Sequence, residues 1–237
     1  MLKGTELYIS KRTGKAIMDY KMLSNGDRVA VAVSGGKDSL ALLNILSARR
    51  RFVPIEYGIT AVHIDTGYPR SYSAKLARYF KGIGINYHIE KLDTLKKTDR
   101  KKINCFWCSW NRRKALFETA NRLKCTKVAF GHHKDDIVET ILLNLFFQGE
   151  ISAMSPKQQL FSGKITIIRP FAYVEKKLID RFAAEKKIPY DTCVCPNSTT
   201  GSRRRMAKII SGLEKGCPEV KTNIFRSVSR IKKEYLL

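Results

Sequence analysis

Val29-Ala30-Val31-Ala32-Val33-Ser34-Gly35-Gly36-Lys37-Asp38-Ser39 is the stretch that decides the fold. Five uncharged residues alternating Val and Ala read as a strand buried on both faces, and Asn25-Gly26-Asp27 before them reads as a turn. A Ser-Gly-Gly loop follows at once, and then Leu40, Leu43 and Leu46 give a helical apolar stripe. Strand, glycine-bearing loop and helix in that order aim backbone N–H groups and a helix N-terminus at one point, an arrangement that suits a phosphate. The glycines let the backbone come close to the oxygens. The hexapeptide Ser34 to Ser39 matches neither the loop of kinases and GTPases nor the glycine pattern of dinucleotide folds.

Outward from this stretch, strand and helix alternate. The spacing predicts strands over Ile59 to Ile64, Ile85 to Ile89, Val128 to Phe130 and Ile165 to Ile168. Helices are expected over Ser73 to Lys81, Arg112 to Leu123, Asp136 to Phe147 and Glu175 to Lys187. That order calls for an α/β fold, a parallel sheet with helices on both faces. Residues 1–24 are expected to form an N-terminal helical segment and 25–190 the nucleotide domain. After Pro189 the texture changes, and 191–237 reads as a small, cysteine-bearing basic helical tail.

The chain has 237 residues, 43% of them hydrophobic and 10% aromatic, which fits one large globular domain. Lys and Arg number 45 against 21 acids, a formal charge of +24. Such an excess points to a polyanionic partner, since each phosphate contact releases counterions. A solubilising surface or a thermophile's lysine habit is the bland alternative. The basic blocks Lys96 to Lys102 and Arg203-Arg204-Arg205 are read evenly as RNA contacts or solvated faces. Six cysteines are too few for a disulfide scaffold, Met1 to Ile17 has no apolar signal-peptide core, and no long apolar run spans a membrane. The expectation is a cytoplasmic protein whose paired cysteines do metal or redox work.

Several residues carry chemistry in this reading. Lys37 can hold phosphate oxygens, while Asp38 with Asp135 or Asp136 can bind Mg²⁺, which takes carboxylates plus phosphate oxygens. His132 and His133, beside Gly131, either touch nucleotide or substrate or hydrogen-bond the loop. Cys105-Phe106-Trp107-Cys108 alone is a redox pair, half a zinc site or chance. Cys125 and Cys217 are read as structural, which leaves Cys193-Val194-Cys195 as further candidates.

Ser34 to Ser39 resembles the pyrophosphate-loop signature of the N-type ATP pyrophosphatases, whose fold is a Rossmann-like (adenine nucleotide alpha hydrolase-like) sheet. Within that group the chain is similar to the tRNA 2-thiocytidine synthetase family from about Lys15 to about Arg230. The likeness is carried by Gly131-His132-His133-Lys134-Asp135-Asp136-Ile137-Val138-Glu139-Thr140, by Ala153-Met154-Ser155-Pro156-Lys157 and by Ile168-Arg169-Pro170-Phe171-Ala172-Tyr173-Val174. The related 2-thiouridine synthetases share the loop and the cysteines but add zinc-binding CxxC pairs at the termini, absent from this sequence. The resemblance implies adenylation of a pyrimidine C2 oxygen with release of PPi, then sulfur transfer with release of AMP. It implies ATP contacts from Val33, Ser34, Gly35, Gly36, Lys37, Asp38, Ser39, His63, Gly131 and His132. Lys37, Asp38, Arg112 and Asp135 are the implied catalytic residues. A 4Fe–4S cluster is implied on Cys105, Cys108 and Cys195, with Cys193 in reserve for the third position. tRNA, sulfide or a sulfur-donor protein, and a second copy in a homodimer are the implied partners. The alternatives are a 2-thiouridine synthetase or another tRNA-modifying enzyme of the group such as lysidine synthetase, which leaves the cysteines unexplained. A non-catalytic RNA-binding or sulfur-carrier protein is the third reading, and it leaves Lys37, Asp38 and Asp135 without a task.

Overall fold

The computed structural model describes residues 2–67, 72–92, 105–190 and 201–235. Its sheet has six strands: β1 (Asp27–Ala32), β2 (Tyr57–Asp65), β3 (Tyr87–Lys91), β4 (Lys127–Ala129), β5 (Lys157–Leu160) and β6 (Ile165–Ile168). They lie in the order β3-β2-β1-β4-β6-β5. Neighbours are parallel, with Ala32 beside Val62 and Val31 beside Ala129, until β5 pairs antiparallel with β6 at the edge. The sheet is therefore mostly parallel, as expected, with one antiparallel hairpin added at its edge. Lys157-Gln158-Gln159-Leu160 gives no apolar run, as befits an edge strand that needs burial on neither face.

The helices are α1 (Gly4–Asp19), α2 (Lys37–Arg49), α3 (Ser73–Gly82), α4 (Cys105–Arg122), α5 (Lys134–Gln148), α6 (Lys176–Glu185), α7 (Ser202–Glu214) and α8 (Val220–Ser227). The expected elements are all present, with shifted ends. Helix α4 begins seven residues earlier than its apolar stripe suggests, because its first two turns carry Cys, Trp, Asn and Arg rather than core residues.

Alternation along β1 divides the core. Val29, Val31 and Val33 point into the larger cluster with Leu40, Leu43, Leu46, Phe80, Phe171 and Phe182. Ala30 and Ala32 point to the other face, where α4 brings Ala115, Leu116, Phe117 and Ala120 onto Val62, Val128, Ile165 and Ile167. Small residues on that side of the central strand let α4 lie close to the sheet.

Helix α1 closes the end of the larger cluster. Thr5 Oγ1 donates to Glu185 (2.8 Å), Lys186 pairs with Glu6 (2.8 Å), and the Tyr173 hydroxyl donates to Asp19 (3.0 Å). A 3₁₀ turn, Pro170–Tyr173, connects β6 to α6 and packs Phe171, with no exposed surface, beneath α1 and α5. On the far side of α5, Val138 and Leu142 meet Met206 and Ile210 of α7. Phe171→Ala is expected to cost about 3–5 kcal/mol by urea unfolding, as for other fully buried phenylalanines. A loss under about 1 kcal/mol would show that the turn is not part of the core.

Candidate active site

The loop after β1 is stitched by its own side chains. Ser34 N–H donates to Ser39 Oγ (3.2 Å), Ser39 Oγ donates to the Gly36 carbonyl (2.9 Å), and Gly36 N–H donates to Ser34 Oγ (3.2 Å). Gly35 has φ +93°, a conformation that a side chain would strain. Gly36 enters α2 in extended conformation without a side-chain cap, so the first N–H groups of the helix point into the bend. Loop, hydroxyls and helix N-terminus together make an anion cradle.

Gly131 sets the second wall. A Cβ on Gly131 would lie 2.9 Å from the backbone of Asp38 and Ser39, which is inside contact distance. Its φ is ordinary, so the requirement here is space and not conformational freedom. The end of β4 thus rests on the first turn of α2, backbone against backbone.

Charges around the cradle are paired across elements. Lys37 Nζ lies 2.5 Å from Asp180 Oδ1 of α6 and 5.2 Å from the centre of the Tyr190 ring. The Asp180 contact, above all, holds the Lys37 ammonium above its usual range. Lys176 Nζ stands 3.9 Å from both Asp38 and Asp180. Asp38 Oδ1 is shielded from solvent and, among the described residues, accepts no hydrogen bond. A carboxylate oxygen left in that condition fits a cation.

The start of α5 is a closed network. His133 caps the helix: its ring accepts from Asp136 N–H (3.3 Å), and Asp136 Oδ2 accepts from His133 N–H (2.9 Å). His133 thus hydrogen-bonds the loop it belongs to. Asp135 uses both oxygens, one 2.9 Å from Lys221 Nζ of α8 and one accepting the Lys176 N–H (2.8 Å). Burial alone would raise its carboxyl, but Lys221 and that N–H outweigh it and hold the group below its usual range. Arg203 of α7 pairs with Asp136 (3.6 Å), so at least this member of the arginine run is anchored to α5 and not simply solvated. Glu139, one turn on from Asp135 and Asp136, is half-buried and pushed up to about 7, first by burial and then by Asp136.

Two histidines support the walls. His63 Nδ1 lies 2.8 Å from the Val33 carbonyl. A carbonyl only accepts, so Nδ1 carries the proton and the ring ties the end of β2 to the start of the loop. Burial pushes the His63 imidazole down, and the Arg112 charge of α4 acts in the same direction. His132 stacks on Phe130 (5.5 Å), and its Nδ1 accepts from Arg169 Nε (3.3 Å). Burial, more than any neighbour, drives its pKa down to about 4.

The cysteines divide similarly. Positions 105 and 108 sit one turn apart at the start of α4, with Cys108 half-buried. A helix start favours thiolate over thiol. The side chain of Cys105, and Cys193, Cys195 and Lys96 to Lys102 entirely, lie outside the described residues. Among those described, no three His, Cys, Asp or Glu side chains gather as a metal group. Cys125 is buried against α4, whereas Cys217 is exposed between α7 and α8. Asp180, Lys176, Lys221, Glu139 and Arg169 were not singled out in the sequence. Only Glu139 and Arg169 carried a signal, standing in the quoted Gly131 to Thr140 and Ile168 to Val174 stretches.

A family model described as a PP-loop domain matches residues 7–208. This chain belongs to the PP-loop family. It is 42% identical to the tRNA-cytidine(32) 2-sulfurtransferase of Geobacter sulfurreducens, over 97% of this chain and 91% of that one. It is 39% identical to the enzyme of the same name from Polynucleobacter asymbioticus, over 98% of this chain and 78% of that one. These shares place it in the 2-thiocytidine branch of the PP-loop family. Among solved structures, the U34-tRNA thiolase NcsA of Methanococcus maripaludis, with its 4Fe–4S cluster, superposes with a TM-score of 0.78. It is 24% identical and covers 98% of this chain and 81% of its own, a likeness of fold. Among the described residues no helix is long and apolar enough to cross a membrane.

Two outcomes are expected. Gly131→Ala displaces the loop at Asp38 and lowers ATP turnover at least tenfold with the circular-dichroism spectrum intact; unchanged turnover would mean that the contact gives way freely. The His132 ring stays neutral down to pH 6 in an NMR titration, because the folded state resists protonation between about 6.5 and about 4. Across that window the unfolded chain binds more protons, so this group's contribution to stability falls as pH falls. A midpoint near 6.5 would contradict its buried environment.

Proposed function

We propose that the protein is an ATP-dependent tRNA 2-thiolase acting on cytidine 32, releasing AMP and PPi. The observation that carries the reading is the anion cradle of Ser34 to Ser39 at the end of β1, with Lys37 and Asp38 at the helix start beside it. Its support from similarity is the near full-length identity to enzymes named for that reaction.

In this mechanism the cradle of Ser34 to Ser39 and the α2 N-terminus hold the ATP phosphates. Lys37 leaves Asp180 to neutralise them. The C2 oxygen of the pyrimidine attacks the α-phosphorus and PPi departs. Sulfide, free or delivered by a donor protein, then attacks C2, and AMP leaves with the former carbonyl oxygen. Activation is required because an oxide is a poor leaving group and AMP a good one. Arg112 balances the charge that develops beside the base.

Asp38, with its unbonded oxygen, is offered to Mg²⁺, and Asp135 joins only by releasing Lys221. A 4Fe–4S cluster fits the thiolate chemistry of Cys105, Cys108 and Cys195, and when bound it supplies an iron position at which sulfide is held. Cys193 is the reserve ligand. The enzyme would work in the cytoplasm, where its tRNA substrate is, as a homodimer.

Lys37→Ala is expected to abolish AMP formation from ATP, tRNA and sulfide under anaerobic conditions, with iron content unchanged. Formation of ADP in step with turnover would overturn the assignment. Cys105→Ala, Cys108→Ala or Cys195→Ala should remove about four irons per chain, whereas Cys125→Ala and Cys217→Ala retain them. Mass spectrometry of nucleosides from treated tRNA should show 2-thiocytidine; 2-thiouridine alone would reassign the substrate.

A further inference from the structure

Helix α4 and the β5–β6 hairpin enclose a groove of about 630 Å³ on the face of the sheet opposite the larger core. Its apolar surface comes from Trp110, Phe117 and Phe161, and its rim carries Arg113, Lys114 and Lys164. Trp110 is 54% exposed and Phe161 59% exposed, both large rings kept in water. Phe161 meets Phe117 edge-on at 5.9 Å. Its backbone sits at φ +52°, a conformation that strains a bulky residue. Glu118 is the acid of the rim and already faces Lys114 (3.9 Å).

Arg113 also lines a second cavity, of about 110 Å³, with Phe130, His132, Gln158 and Arg169. Arg169 is only 8% exposed. It donates to the Ser155 carbonyl and to His132 Nδ1, and among the described residues no carboxylate lies within 4 Å of it. A buried guanidinium normally has an anionic partner. Here it faces a second guanidinium across a small cavity. His132 follows Gly131, whose backbone rests on Asp38 and Ser39, so this cavity adjoins the anion cradle.

We propose that this face seats a single-stranded stretch of tRNA, with a backbone phosphate between Arg113 and Arg169 and unstacked bases over Trp110 and Phe161. The proposal rests on the thiolase reading and adds the surface that presents the loop to it. Exposed rings accept any base face, and arginines and lysines between them track the backbone, the usual means of holding single strands. Positive charge on the rim favours RNA over a second copy of a chain that itself carries +24.

The test is fluorescence anisotropy of a labelled anticodon stem-loop RNA against the full protein, titrated at several salt concentrations. Trp110→Ala and Phe161→Gly are expected to weaken binding roughly fivefold to a hundredfold each, with the salt slope kept. Arg113→Ala should lower the slope by about 0.7. Calorimetric ATP binding and the thermal midpoint, measured on each variant, separate lost contacts from lost fold. If the ring variants bind RNA as the wild type does, the groove proposal fails while the thiolase reading stands; lost self-association in sedimentation would then assign the face to a second copy. If the wild type binds no tRNA at all, the thiolase reading fails and takes the groove with it.

Discussion

Backbone contact between Gly131 and the Asp38–Ser39 peptide fixes the distance between the two halves of the nucleotide site. β1 and β4 are neighbours at the point where the chain reverses its direction of winding, with β2 and β3 on one side and β6 and β5 on the other. Loops leaving the carboxyl ends of such strands diverge and open a crevice. In this crevice one loop supplies the cradle and the other supplies the charged start of α5. Only a residue without a side chain lets them touch, so the geometry of Lys37 and Asp38 depends on what stands at 131.

The carboxylates around that contact do two kinds of work. Asp135 is bound on both oxygens and links α5, α6 and α8 through Lys221 and the Lys176 N–H. It behaves as a structural joint as long as those partners remain. Asp38 has the opposite character: its Oδ1 is shielded from water, accepts no hydrogen bond among the described residues and has only the Lys176 ammonium 3.9 Å away. Leaving a buried carboxylate oxygen without a hydrogen bond costs stability, and such costs are kept where a ligand relieves them. Lys37 and Lys176 stand within reach of the same acids, so arriving phosphates or cations exchange partners with groups already in place.

Much of the architecture was legible because its signals are local. Alternating Val and Ala, then Ser-Gly-Gly, specify strand, loop and helix through neighbouring residues, and the structure has each within two or three positions. β5 was not legible, since Lys157 to Leu160 is an edge strand and owes its pairing to β6 rather than to its own pattern. The early start of α4 was hidden for a related reason: its first turns pack little and leave no apolar period. In the site, the loop and the Gly131 segment could be read from their motifs. Asp180 and Lys221 could not, because each reaches the site from a helix far along the chain, and nothing local marks which exposed-looking charge the fold will turn inward.

Neutral His132 explains how two arginines can share a cavity without an acid. Its Nδ1 accepts from Arg169 Nε, which requires an unprotonated ring. Protonation would remove the acceptor and place a third positive charge beside two guanidiniums. Burial keeps the ring neutral against the pull of Asp136, and the nearby arginines reinforce this by opposing any added charge. The arrangement is thus self-consistent only while the histidine stays uncharged. The cavity then carries fixed positive charge at its rim and a neutral polar wall toward the cradle.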